Sequence, residues 1–325
     1  MKRALIVGID HYPFAHLNGC VADAKRMKEV LTFNGDADQT GNFSCELLTS
    51  SPDEQITQKL LFSKIEEYLN DDNGFIKTVV FYFAGHGFVN DLDGYLVTQD
   101  AQKYTEGVRM RDILSVCARS KVHEIVILLD CCYSGQFGTL KEYSDESALL
   151  PLGVSVLTSS GAQQRSLEQN GEGLFTALLC DALQGEAADL LGNITIASAY
   201  NYIDNMLGAF DQRPIFKSNV SHMTLLRKTT PEIKVNELYR LIELFPNPEY
   251  HIQLNKSYEP TRKPHNPELE ANFVLLQQMV QLGLVYPIDE QHMYYAAINN
   301  KACALTRLGK AYWKLIKTGH LIYRN

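Results

Sequence analysis

Three stretches of this chain are apolar without interruption by charge or by alternation: ALIVGI (4–9), the core of KTVVFYFAG (77–85) and the core of HEIVILLD (123–130); GVSVLTSS (153–160) repeats the pattern with a serine inside it. A strand with one wet face alternates apolar and polar residues, whereas a strand covered on both faces does not need to. Between these runs lie segments with helical spacing, such as GCVADAKRMKEVLTF, EQITQKLLFSKIEEYL and VRMRDILSVCARS. Strands alternating with helices of that length make βαβ units, so the expected class is α/β: a mostly parallel sheet with helices on both faces. FVNDLDGYLVT reads as a hairpin around DLDG, and Ser51 or Asp53 is the expected cap of the helix that follows CELLT.

After about residue 228 the alternation stops, which divides the chain into domains at 1–228 and 229–325. The segment 247–267 carries four prolines and reads as an exposed connection. Two helical stretches, ELEANFVLLQQMVQLG and LTRLGKAYWKLI, then flank HMYYAAINNKACAL, which has some strand character. From residue 301 to the end there are six Lys or Arg and no acid, yet the whole chain has a formal net charge of −8. That balance argues against a surface built to hold nucleic acid everywhere. Seven cysteines at scattered spacings (20, 45, 117, 131, 132, 180, 303) give no zinc ladder. With no export signal and no apolar run long enough to span a bilayer, a cytoplasmic location and no membrane partner are expected. No GxxxxGK[ST] loop follows a strand, so nucleotide hydrolysis is not expected.

The chemistry sits where two of the apolar runs end. VVFYFAGHG delivers His86 between two glycines, and IVILLDCCYSG delivers the adjacent pair Cys131 and Cys132. In an open α/β sheet, ligands bind beyond the carboxyl ends of the strands. The 46 positions from 86 to 132 hold one hairpin, one helix and one strand, so the two strand tips can be neighbours. A thiol beside an imidazole is what acyl transfer by cysteine requires, because the imidazole takes the thiol proton and later protonates the leaving amine. Glycines beside the histidine leave room for backbone amides to meet a developing oxyanion.

FYFAGHG with LLDCCYSG resembles the His-Gly and Asp-x-Cys-x-Ser-Gly motifs of metacaspases and bacterial caspase-like cysteine peptidases. The opening ALIVGIDHYPFAHLNGCVADAKRMKEVL is similar to that family's first strand, Gly-Cys-x-x-Asp-Ala element and first helix. The resemblance covers about residues 1–226. It implies a cysteine endopeptidase with a Cys132/His86 dyad, Cys131 packing behind the site, and an oxyanion held by the backbone N–H groups of Gly87 and Cys132. It also implies that Asp23 and Asp130 line the substrate pocket and select Arg or Lys before the cut. On the residues alone, Asp23 could simply occupy the first turn of its helix and Asp130 could brace a loop. One departure is Ala84, where metacaspases often carry serine.

The resemblance further implies a protein substrate and control by an activating protease or a regulatory protein. Lys141, in GQFGTLKEYSDESALLP, and Arg165, in SSGAQQRSLE, are the candidate processing sites. No metal or other cofactor is expected; calcium, which many metacaspases need, has Asp91, Asp93 and Asp100 as acids but only Asp112 in the later element. Residues 229–325 resemble a winged-helix unit, expected to serve protein interaction. Bacterial caspase-like proteins with appended modules often act in antiviral defence or regulated cell death. Two other readings stay open: a catalytically silent adaptor, and a DNA-binding regulator acting through the C-terminal domain.

Overall fold

The computed structural model describes residues 1–51, 55–71, 74–89, 93–103, 106–131, 150–159, 168–169, 172–207 and 213–321. It forms two compact units, Met1–Thr230 and Pro231–Asn325.

The first unit begins with β1 (Lys2–Gly8), α1 (Cys20–Thr32), β2 (Ser44–Thr49), α2 (Gln58–Leu69) and β3 (Thr78–Ala84). A small hairpin follows, β4 (Gly87–Val89) and β5 (Gly94–Leu96), then β6 (Val108–Arg109), α3 (Met110–Arg119), β7 (Glu124–Asp130) and β8 (Val154–Thr158). After β9 (Glu168–Gln169) and β10 (Glu172–Gly173) come α4 (Leu174–Asp181), β11 (Asn193–Thr195), α5 (Ile196–Met206), β12 (Ile215–Asn219) and β13 (Leu225–Lys228). The main sheet has the order β12-β8-β7-β3-β1-β2, with β12 antiparallel to its neighbour and the other five strands parallel.

The apolar runs are buried because both faces of the sheet are covered. In β1 and β3 the residues Leu5, Val7, Val79, Phe81 and Phe83 pack on one side with the apolar stripes of α2 and α3. Ala4, Ile6, Val80 and Tyr82 face the other side, against α1, α4 and α5. This is the expected mostly parallel α/β sheet. Each fully buried Leu or Ile there contributes about 1.5–3 kcal/mol relative to exposure. The cap of α2 is Thr57, whose hydroxyl accepts from the Leu60 N–H, and not Ser51 or Asp53; Asp53 lies outside the described residues. Thr195 and Ser198 form a reciprocal capping box at the start of α5.

At the start of β1 the Lys2 ammonium donates to Asn42 Oδ1 (2.7 Å) and to the Leu225 carbonyl (3.1 Å), over the Phe43 ring. Burial lowers its pKa to about 8, against the opposing pull of Glu124. The ordinary lysine value is about 10.4. Between pH 8 and that value the unfolded chain keeps a proton that the folded chain has shed, so this group makes stability rise with pH across the window. Urea unfolding at pH 7.5 and 10 should therefore show wild type gaining on the order of 2 kcal/mol relative to Lys2→Met. Parallel pH dependences of the two proteins would refute the assignment.

The second unit contains α6 (Val235–Tyr239), α7 (Leu241–Leu244), β14 (Ile252–Gln253), α8 (Pro267–Gln281), β15 (Val285–Pro287), α9 (Met293–Ile298), β16 (Ala302–Leu305) and α10 (Arg307–Lys317). Its small antiparallel sheet runs β14-β16-β15. Two expectations change here. The proline-rich segment is part of the fold rather than an exposed connection, since Ile252 pairs with Cys303 and Leu254 is fully buried. MYYAAI (Met293–Ile298) is a helix that buries Met293, Ala296 and Ala297 at helical spacing, so strand structure in this stretch is confined to Ala302–Leu305. Asn266 caps α8 and Thr306 caps α10. Of the C-terminal basic residues, Lys301 pairs with Asp289 and Lys310 with Glu249, which lowers the local positive charge. Among the described residues no helix is long and apolar enough to cross a membrane.

Candidate active site

The loop between β1 and α1 is built as a rigid bracket. At its start the Asp10 carboxylate accepts from the N–H groups of Cys20 (2.8 Å) and Val21 (3.3 Å). It thereby caps α1, whose own N-cap residue is Gly19 and has no side chain to offer. The N–H groups of Asp10 and His11 donate to Ser50 Oγ at the end of β2, and Leu17 N–H donates back to the Asp10 carbonyl. So fixed, the loop lays Tyr12, Phe14 and Ala15 over the carboxyl end of β3.

His86 is held by this loop. Its backbone N–H donates to the Tyr12 hydroxyl (3.0 Å), and that hydroxyl in turn donates to the Val97 carbonyl (3.2 Å). Burial pushes the Tyr12 phenol well above its ordinary pKa, so it keeps the proton this arrangement needs. The His86 ring lies 4.6 Å from the Tyr12 ring, centre to centre, and stacks on Phe14 at 6.3 Å. Its Nε2 is 2.9 Å from the Ala15 carbonyl. A carbonyl can only accept, so Nε2 carries the proton, and in the neutral ring the basic lone pair is on Nδ1.

Gly87 opens the edge strand β4, opposite Leu96 of β5. Val97 N–H donates to the His86 carbonyl, which makes Gly87 and Leu96 the non-hydrogen-bonded type of antiparallel pair. The Gly87 N–H therefore points away from β5.

On the neighbouring strand, Asp130 is in register with Ala84, and Gly85 N–H approaches the Asp130 carbonyl at 3.3 Å. Cys131 is buried in the apolar layer that contains Tyr12, at 1% exposure. Cys132, Lys141 and Arg165 lie outside the described residues.

Asp23 and Asp130 come together. Asp23, in the first turn of α1, accepts from the Gly173 N–H at 3.1 Å, and Asp130 accepts from the Thr176 hydroxyl at 2.7 Å. A Cβ placed on Gly173 would lie 2.5 Å from Asp130 Oδ2 and 3.0 Å from Asp23 Oδ2, so both carboxylates converge on the start of α4. They are 4% and 7% exposed.

Residues 1–225 match the family model described as Caspase domain. The chain belongs to the caspase-domain family. Its fold is also that of two solved structures: protein GSU0716 from Geobacter sulfurreducens, with a TM-score of 0.51 and 16% identity over 71% of this chain and 97% of that one; and caspase-1 from Spodoptera frugiperda, with a TM-score of 0.51 and 12% identity over 70% of this chain and 90% of that one. Among curated proteins none matches the chain significantly. Membership supports a cysteine-protease-like function in general, with protein as the class of substrate. The family match ends at residue 225, so it assigns nothing to the second unit.

In the caspase domain the acids considered for calcium have other work. Asp93 accepts from Gly94 N–H and faces Arg111; Asp100 accepts from the Thr98 hydroxyl and the Gln58 N–H; Asp112 pairs with Arg109. Asp91 lies outside the described residues. Among the described residues no three His, Cys, Asp or Glu side chains are grouped as ion ligands. Sequence reasoning missed Asp10, Tyr12, Ala15, Gly173 and Thr176. Asp10 offered a signal, since an acid at a strand end ahead of Gly-Cys is a ready cap; the others act through contacts that no local pattern marks.

Proposed function

We propose that the caspase domain is a cysteine endopeptidase that uses His86 and Cys132 and cuts after Arg or Lys. One observation carries the dyad: Ala84 and Asp130 are paired in adjacent parallel strands. His86 lies two residues beyond Ala84 in the chain and Cys132 two residues beyond Asp130, so both follow the carboxyl ends of these adjacent strands in sequence. The Nδ1 lone pair of His86 takes the Cys132 proton, and the thiolate attacks the scissile carbonyl. Backbone N–H groups of Gly87 and Cys132 receive the oxyanion, the former by its outward direction at the β4 edge. His86 then gives its proton to the leaving amine and activates the water that releases the acyl group.

The convergence of Asp23 and Asp130 supports the choice of Arg or Lys, since two carboxylates pair with a cation and repel an acid. Purified full-length chain should cleave an Arg-ending fluorogenic peptide at least about a hundredfold faster than the matched Asp peptide, and Asp23→Asn should narrow that gap about tenfold. The same incubations, followed by mass spectrometry, read processing at Lys141 and Arg165. Efficient cutting after Asp with Arg peptides inert would overturn the specificity.

A further inference from the structure

Tyr82 and Thr176 form a hydroxyl pair that the dyad does not use. Both are fully buried, Tyr82 in the middle of the sheet and Thr176 in the first turn of α4, where apolar side chains would pack as well. Burying a hydroxyl is unfavourable unless it is hydrogen-bonded, so the pair marks a specific polar demand. The direction of its bonds follows from proton counting. Asp130 as a carboxylate can only accept, so the 2.7 Å contact to Thr176 Oγ1 uses the threonine proton. The Tyr82 hydroxyl, 2.7 Å from the same oxygen, must then be the donor to it. Burial first, and the charges of Asp130 and Asp23 next, push the Tyr82 phenol well above its ordinary pKa, which keeps that donor protonated.

The chain Tyr82 to Thr176 to Asp130 is thus one-directional, and its first two members are fully buried. Its neighbour is equally specific, because the Gly173 N–H, three residues earlier in the same turn, donates to Asp23. Two carboxylates converging on one point repel each other and tend to share a proton unless each has its own donor. The first turn of α4 supplies one to each.

We infer that Thr176, backed by Tyr82, is a specificity-determining positioning residue: it holds the Asp130 carboxylate in the orientation from which, with Asp23, it receives a cationic substrate side chain. This rests on the proposed basic preference. Thr176 touches no reacting atom and acts through Asp130.

The test compares kcat and KM for a peptide ending in arginine and the same peptide ending in citrulline, its neutral isostere, across wild type, Thr176→Val, Thr176→Ser and Tyr82→Phe, with thermal melting of each. Thr176→Val keeps the shape and removes the donor. It should lower kcat/KM for the arginine peptide about tenfold, through KM, and leave the citrulline peptide unchanged. Thr176→Ser should restore the preference, and Tyr82→Phe should weaken it about threefold. A Thr176→Val enzyme with undiminished arginine preference, or one that loses both peptides equally, overturns the inference while the basic pocket stands. A wild type that treats arginine and citrulline alike overturns both.

Discussion

Cys132→Ala is expected to abolish peptide cleavage, and His86→Ala to lower kcat by at least about a thousandfold. The double variant should be no worse than the poorer single one, because groups that act as a unit lose their effect together. Cys131→Ala is the informative control. Its side chain is buried in the layer of Tyr12 and Leu129, so removing it should lower stability by about 1 kcal/mol and leave kcat within a few-fold of wild type. Fluorogenic hydrolysis with urea unfolding reads both quantities, and mass spectrometry after brief iodoacetamide treatment should find Cys132 modified well before Cys131. If Cys131→Ala is the dead variant and Cys132→Ala the active one, the assignment of the nucleophile fails.

The adjacent cysteines also mark where sequence reasoning was strong and where it stopped. The central strands were legible because a run such as VVFYFA, without charge or alternation, fits a strand covered on both faces. His86, Asp23 and Asp130 were legible as motif members, and the structure adds that Asp23 and Asp130 converge. The supporting shell was not legible. Tyr12 reaches His86 across 74 positions and Thr176 reaches Asp130 across 46, so no local spacing announces either contact. The Ala15 carbonyl acts through the backbone and leaves no trace in residue type. In the second unit Met293, Ala296 and Ala297 did carry helical spacing, but the neighbouring Tyr294 and Tyr295 favour strands and hid it. The buried Ile252 and Leu254 were masked by prolines that local rules read as exposed chain.

Gly8→Ala is expected to be a strongly damaging single-methyl change in the caspase domain, acting on stability and on the acid pair together. Gly8 ends β1, directly under the start of α1, where a Cβ would lie 2.3 Å from the Cys20 carbonyl oxygen and 2.7 Å from Ala24 Cβ. The nearest atom belongs to backbone, so no side-chain rotation relieves the contact, and α1 must move off the sheet. Two consequences follow from the same displacement. Packing of Ala24, Met27 and Leu31 against Ile6 and Tyr82 loosens, which should lower stability by about 2–4 kcal/mol and the melting temperature by about 5–10 °C. Asp23, in the first turn of α1, is carried away from the Gly173 N–H and from Asp130, so activity toward arginine peptides should fall further than activity toward citrulline peptides at temperatures where the protein is still folded. Gly41→Ala is the matched control, since a Cβ there meets nothing within 4 Å. A Gly8→Ala protein that melts with the Gly41→Ala control and keeps its arginine preference would mean that the approach of α1 to β1 is looser than its geometry, and that the acid pair is set by α4 alone.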